Sequence, residues 1–321
     1  MTEKERLLLQ YLQDDFPLAA RPFALAGARF GISEDEVLAI LARLERRKVI
    51  RYLGAIFDPK RLGIHSTLCA ADVAPRNVAA VARAVSSRRE VSHNYLRQGN
   101  PNLWFTVSAG SAEKLVRTLK DIRALTGGSL RSFPVIQTFK IDARFHLTDR
   151  GASGPVRPWA RLSARARRVD KKTVIALNRP FPLVRRPFAR AAAGLGISEP
   201  RLRGLLERYK KAGVLRRFGI ILGHRHAGFR ANCMAAWRVP PAKLSRAARV
   251  FRAARQITHC YERAAAPDWP YNVYTMIHCA TRAECSRLIR ALALSTGIPE
   301  YRAFFTVREF KKTKADLAAV L

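Results

Sequence analysis

A chain of 321 residues that is 48% hydrophobic carries enough apolar material for two or more cores. Its 59 lysines and arginines against 24 acids leave a net charge of +35, which points to an anionic partner: nucleic acid, an acidic surface, or a ligand bearing carboxylates or phosphates. No apolar run approaches the ~18 residues of a membrane-spanning helix, and the start "MTEKERLLLQYLQDD" lacks the basic segment and cleavage site of a signal peptide.

In chain order, Leu7, Leu8, Tyr11 and Leu12 are spaced for a first helix. Pro22 can open a second at its first turn. Ser33 with Glu36 is a capping box, and Val37, Ile40, Leu41 and Leu44 continue it as the apolar stripe of a third helix. "KVIRYLGAIFDPKRLG" reads as short strands with a wing-like turn, so the opening is a winged helix-turn-helix. The period then changes to two. Strand Ser66 to Val73, helix Asn77 to Ser86, strand Glu90 to Arg97, strand Asn102 to Ala109, helix Ala112 to Leu125 and strand Leu130 to Lys140 spell βαββαβ, a ferredoxin-like sandwich.

Everything then recurs. "FPLAARPFALAGARFGIS" from Phe16 returns as "FPLVRRPFARAAAGLGIS" from Phe181, and "SFPVIQTFK" returns as "AFFTVREFK". The second capped helix starts at Ser198 with Leu202, Leu205, Leu206 and Tyr209 as its stripe. The predicted class is α+β, in two tandem copies of a winged helix-turn-helix plus a ferredoxin-like domain. The domains expected are 1–64 and 65–147, a basic Gly/Pro/Ser-bearing linker at 148–168, then 169–228 and 229–321.

Chemistry concentrates in the two hairpins. "VSHNYLRQGNPNLWF" (Val91 to Phe105) and "ITHCYERAAAPDWPYNVY" (Ile257 to Tyr274) share one skeleton, His-x-Tyr-x-Arg. Residues two apart on a strand share a face, so His93, Tyr95 and Arg97 point together, as do His259, Tyr261 and Arg263. Such a row is too polar for the helix-covered side of a sheet and is expected on the open side, facing a ligand or the other half. A polar strand face needs no function by itself, but three residue types kept at the same offsets in both copies favour one. Five cysteines, odd in number and without a C-x-x-C pair, suit reduced thiols in a cytoplasm. "GHRH" (His224, His226) has no acid or thiol beside it and reads as a solvated loop, so no protein metal site is expected.

The element order resembles the Lrp/AsnC family, in which a winged helix domain precedes a ligand-binding ferredoxin-like domain. The hairpins "VSHNYLR…NLWFT" and "THCYER…PDWPYNVYTMIH" resemble more narrowly the siroheme decarboxylase branch of that family, here with two related subunits fused, as in heme d1 biosynthesis. The resemblance implies removal of carbon dioxide from two acetate side chains of siroheme to give didecarboxysiroheme. It implies no cofactor beyond that iron tetrapyrrole substrate, a second copy or related decarboxylase subunits as partners, and no membrane. On this reading His93 and His259 are the catalytic proton donors, and axial ligation of the substrate's iron is the alternative that the sequence leaves open. Tyr95, Arg97 and Trp104 in one half, and Tyr261, Arg263, Asp268, Trp269, Tyr274 and His278 in the other, form the substrate site. Trp269 would cap the ring and Asp268 would orient a histidine. The alternative is a DNA-binding regulator of the Lrp type, responsive to a tetrapyrrole. Against specific DNA binding, the first recognition helix would present Glu34, Asp35 and Glu36 to phosphates.

Overall fold

The structure, a computed structural model, describes residues 1–141, 169–223, 231–266 and 268–321. The linker and the His224/His226 pair lie outside them. The chain forms two compact units that are not the two halves of its sequence. One takes residues 1–62 and 169–223; the other takes 63–141 and, among the described residues, 231–321 without 267. Each unit gathers the same piece from both halves.

The first unit holds α1 (Glu3–Asp14), α2 (Pro22–Phe30), α3 (Glu34–Arg46) and β1 (Ile50–Phe57) from the first half. The second half supplies α6 (Lys171–Leu177), α7 (Pro187–Gly194), α8 (Glu199–Lys211) and β6 (Leu215–Leu222). The Ser33 box forms as predicted: its oxygen accepts from the Glu36 N–H while the Glu36 carboxylate accepts from the Ser33 N–H. Val37, Leu41 and Leu44 are buried beneath. The expected wings differ. Among the described residues each is a single strand, and the two strands pair with one another antiparallel, Gly54 opposite Gly219. One lone strand would leave its ladder groups unpaired; the equivalent strand of the other half satisfies them. A Cβ at Gly219 would stand 2.6 Å from the Leu12 carbonyl, so glycine is what lets α1 lie against β6. Phe218 centres the core, with Phe181, Phe188 and Phe16 at ring distances of 4.9, 5.2 and 5.3 Å.

The second unit contains β2 (His65–Ala71), α4 (Val78–Ser87), β3 (Val91–Arg97), β4 (Leu103–Ala109), α5 (Ala112–Leu125) and β5 (Arg131–Ile141). Their counterparts are β7 (Ala231–Trp237), α9 (Leu244–Ala253), β8 (Ile257–Arg263), β9 (Val273–Cys279), α10 (Arg282–Thr296) and β10 (Tyr301–Lys312), followed by α11 (Leu317–Val320). The first predicted strand stops at Ala71 rather than Val73. There the Asp72 and Val73 N–H groups donate to side chains, Ser129 Oγ at 3.2 Å and Asn102 Oδ1 at 3.0 Å, and the ladder ends.

The eight strands close into a barrel in the order β10-β3-β4-β2-β5-β8-β9-β7. Closure comes from the last strand of each half. Arg131 to Pro134 of β5 pair with β2, and from Val135 onward β5 pairs with β8 of the other half. Likewise Tyr301 to Phe305 of β10 pair with β7, and from Thr306 β10 pairs with β3. Register shifts at each crossing bend the strand from one sheet into the next. The helices cover the outside: Ala82, Val85 and Ile122 pack on Cys69, Phe105 and Val107, and Phe251, Ile289 and Leu292 pack on Cys233, Trp237 and Ile277. A third core fills the inside, with Ala70, Trp104, Phe133, Met234, Ala236, Trp269, Tyr274 and Phe304. Among the described residues no helix is long and apolar enough to cross a membrane.

Two outcomes follow from this packing. Phe218→Ala should destabilise the first unit by about 3–5 kcal/mol, read as a lower denaturation midpoint by circular dichroism. Burial pushes the thiols of Cys69, Cys233 and Cys260 up to about 12. At pH 8 these three should resist an aromatic disulfide reagent in the folded chain and react at once in guanidinium.

Candidate functional site

Which way the hairpin rows face is settled by their neighbours. Asn94 of β3 turns to the helices, where its amide donates to the Ala82 carbonyl at 3.1 Å and to Ser86 Oγ at 3.0 Å. His93, Tyr95 and Arg97 therefore turn into the barrel. Their cross-strand partners agree, since His93 lies opposite Thr106 and Tyr95 opposite Trp104 of the inner core. In the second half Cys260 packs under the helices, and His259 and Tyr261 lie opposite Met276 and Tyr274 on the inner side. The expectation of an open sheet face holds, and each half's open face is the other half's partner.

Strands β3 and β8 stand four places apart around the ring, and every ladder is antiparallel, so both run the same way. Both histidines thus belong to one end of the barrel and both arginines to the other. Around the histidine end the inward positions are polar: Ser66 pairs with Ser108, and Asn232 with His278. Deeper in, level with the tyrosines, the interior is closed by aromatic rings. Trp104 lies 6.0 Å from Phe133 and 5.0 Å from Phe304, with Trp269 6.0 Å away.

Each row is a stack. The His93 and Tyr95 rings lie 6.2 Å apart at 29°, and the Arg97 guanidinium sits 5.1 Å over Tyr95. The second copy repeats this with His259 and Tyr261 at 5.9 Å and Arg263 at 4.9 Å. His93 Nδ1 is 2.9 Å from Ser92 Oγ, and His259 Nδ1 is 2.9 Å from Thr258 Oγ1. Both histidines are half-buried, whereas Tyr95 and Arg97 are buried. Arg97 Nη1 donates to the Phe304 carbonyl at 3.0 Å and to Thr306 Oγ1 at 3.1 Å; Arg263 Nη1 donates to the Phe133 carbonyl at 2.7 Å. Each arginine so grips the crossing strand of the opposite half. The Nε of both is buried without a partner, and among the described residues no carboxylate pairs with either. Burial pushes the Arg97 guanidinium down to about 10 and lowers that of Arg263 as well.

The remaining predicted residues fall in different places. Trp104, Trp269 and Tyr274 are core side chains; the Trp269 indole, read from sequence as a cap over a ligand ring, is 3% exposed and donates to the Tyr274 hydroxyl at 2.8 Å. Asp268, read as a partner for a histidine, is exposed and accepts from Arg131 Nε at 2.8 Å. The same arginine reaches Asp72 at 2.9 Å and holds the Asp268 carboxyl below the usual carboxylate range. His278 is buried near the histidine end. Sequence reasoning missed Ser92, Thr258 and Asn232. A hydroxyl residue directly before the histidine in both copies was the available signal for the first two. Among the described residues no cluster of three or more His, Cys, Asp or Glu side chains could hold a metal ion.

The helical unit also bears on DNA reading. Asp35 at the start of α3 pairs with Arg185 at 2.7 Å, and Glu34 with Arg21. On α8, Glu199 pairs with Arg186. The helix ends that would approach bases are occupied by ion pairs, and Arg185 reaches across from the other half to both Asp35 and Glu34.

Residues 61–140 and 226–311 match the AsnC-like ligand binding domain, and residues 5–51 and 170–216 match the siroheme decarboxylase NirDL-like HTH domain. The chain is 36% identical to the siroheme decarboxylase NirDL subunit of Paracoccus pantotrophus, over 100% of this chain and 99% of that one. A stretch of 150 residues, 47% of the chain, is 39% identical to 99% of the siroheme decarboxylase beta subunit of Methanosarcina barkeri. A crystal structure of the siroheme decarboxylase NirDL in complex with an iron-uroporphyrin III analogue superposes with a TM-score of 0.71 at 26% identity, covering 98% of this chain and 94% of that one. Similar along its whole length and in its fold to these proteins, the chain belongs to the siroheme decarboxylase family.

Proposed function

We propose that this chain is a carboxy-lyase that removes carbon dioxide from two acetate side chains of siroheme, leaving methyl groups and didecarboxysiroheme. The observation that carries the reading is the doubled His-Tyr-Arg stack at one barrel, in a chain similar over its whole length to a siroheme decarboxylase. Because aromatic rings fill the barrel's interior, the macrocycle meets the barrel at the histidine end rather than threading through it.

The chemistry assigns the roles. Loss of carbon dioxide leaves an electron pair on the side-chain methylene, which the macrocycle delocalises until a proton arrives. An imidazole supplies that proton at neutral pH. His93 and His259 are the donors in this reading: each transfer turns an acetate and one proton into a methyl group and carbon dioxide, and solvent reloads the ring. The arginines lie beyond the aromatic rings of the interior, so in this reading they draw the substrate's carboxylates by their buried positive charge and not by contact, a role supported by the lack of a pairing carboxylate among the described residues. A guanidinium clamped on the departing carboxylate would stabilise the ground state instead, because carbon dioxide carries no charge.

Both rows sit in one chain's barrel, so a second copy is not needed to bring two imidazoles together. Membership in the family and the ion pairs on α3 and α8 both favour the enzyme over a DNA-binding regulator.

Anaerobic incubation with siroheme, followed by mass spectrometry, should show two successive losses of carbon dioxide; a mass that never changes would refute the enzyme. His93→Ala and His259→Ala should each slow one or both losses by about 10²–10⁴-fold while siroheme still binds, monitored by its Soret band. Full turnover by the double variant would end the assignment of the histidines.

A further inference from the structure

A side chain directly before a histidine on a regular strand would point to the opposite face. Ser92 and Thr258 do not. In both hairpins the register slips at that position, between Val91 and His93 and between Ile257 and His259. The slip is a bulge, and it brings the hydroxyl around to the imidazole. Both hydroxyl residues are buried, at 7% and 3% exposure, and both lie 2.9 Å from Nδ1 of the following ring. The two halves use different residues, serine and threonine, for one distance. What is kept is the hydroxyl.

A hydroxyl suits this place for a specific reason. An imidazolium that delivers its Nε2 proton becomes a neutral ring with its hydrogen on Nδ1, and solvent then reloads Nε2. Nδ1–H therefore needs an accepting partner in both states. A carboxylate there would hold the ring charged and oppose the transfer. A hydroxyl accepts from Nδ1–H of the imidazolium and of the neutral ring alike, and brings no charge of its own. The Thr258 hydroxyl can send its own hydrogen to the Met276 carbonyl at 3.5 Å, which leaves a lone pair for Nδ1–H. The Ser92 backbone is pinned as well, its carbonyl accepting from the Thr313 N–H at 2.9 Å and from the Thr313 hydroxyl at 3.2 Å. The rings are thus held between a hydroxyl on Nδ1 and the stacked phenol of Tyr95 or Tyr261.

We propose that Ser92 and Thr258 are positioning residues that hold Nδ1 of His93 and His259 through the proton-transfer cycle, so that Nε2 carries the proton delivered to substrate. This rests on the histidines being the donors, as proposed above.

The test uses the full chain in two arms. In the unmodified protein, long-range ¹H–¹⁵N correlation of the histidine rings should show the neutral forms of His93 and His259 with the hydrogen on Nδ1. Hydrogen on Nε2 in either would overturn the proposal for that site without any variant. In the second arm, Ser92→Ala and Thr258→Val should lower kcat about ten- to a hundredfold with KM within about twofold, and should mix the tautomers. Ser92→Thr and Thr258→Ser should restore both readouts. If the alanine and valine variants keep the Nδ1–H tautomer and full kcat while His93→Ala and His259→Ala are inactive, the histidine assignment stands and the positioning role fails. If the histidine variants are themselves fully active, the donor assignment fails, and the ring tautomers still report whether the hydroxyls hold Nδ1.

Discussion

The crossing of β5 and β10 between the two sheets is the constraint on which the rest depends. Each strand begins in its own sheet and ends in the other's, bent by register shifts at the crossing. Without it there would be two open sheets, each with a polar inner face turned to water. With it the two faces meet, and His, Tyr and Arg side chains enter a shared interior. Arg97 and Arg263 secure the crossing by donating to the carbonyls of Phe304 and Phe133, the last residues of each strand's own-sheet segment or next to it. Two lysines reinforce the far ends. Lys311 donates to the carbonyls of Ser86 and Arg88 at the end of α4, and Lys140 to those of Arg252 and Ala254 at the end of α9. Every one of these bonds runs from one half to the other.

Much of this was legible in the residues. A period of two, a helical stripe and a capping box are local signals, and they placed each strand and helix of the first half's ferredoxin-like domain within about two residues. The alternation rule also put both rows on the face away from the helices. What could not be read was partnership at a distance. The wings pair with each other rather than folding back, because strand pairing depends on what lies alongside in space. Trp269 and Asp268 were assigned to a ligand because loops often carry function. Their partners, Phe304 and Arg131, lie on strands remote in sequence, and Arg131 belongs to the other half, which only the closed barrel brings to Asp268. The hydroxyls of Ser92 and Thr258 were hidden by the same alternation rule that located the histidines, since a bulge breaks that rule where it matters.

Fusion of two repeats in one chain allows something a symmetric pair cannot. The inner core is made of matched pairs: Phe133 with Phe304, and Trp104 with Tyr274. Trp269 has no match, because the first hairpin loop, "QGNPN", is too short to supply one. Its ring lies 5.9 Å from Phe133 and 6.0 Å from Phe304, and it also meets Trp104 and Tyr274, so it is lodged among both matched pairs. A side chain that fills this shared centre can come from one half only, since its counterpart would claim the same space. A dimer of identical halves would have to leave that centre empty or fill it with smaller groups, at the cost of a cavity. Freed from symmetry, the second loop closes the interior with one large ring and keeps the two histidine stacks nearly alike on either side of it. The asymmetry is thus spent at the plug, while the chemistry proposed for the histidines needs, and has, two copies of one arrangement.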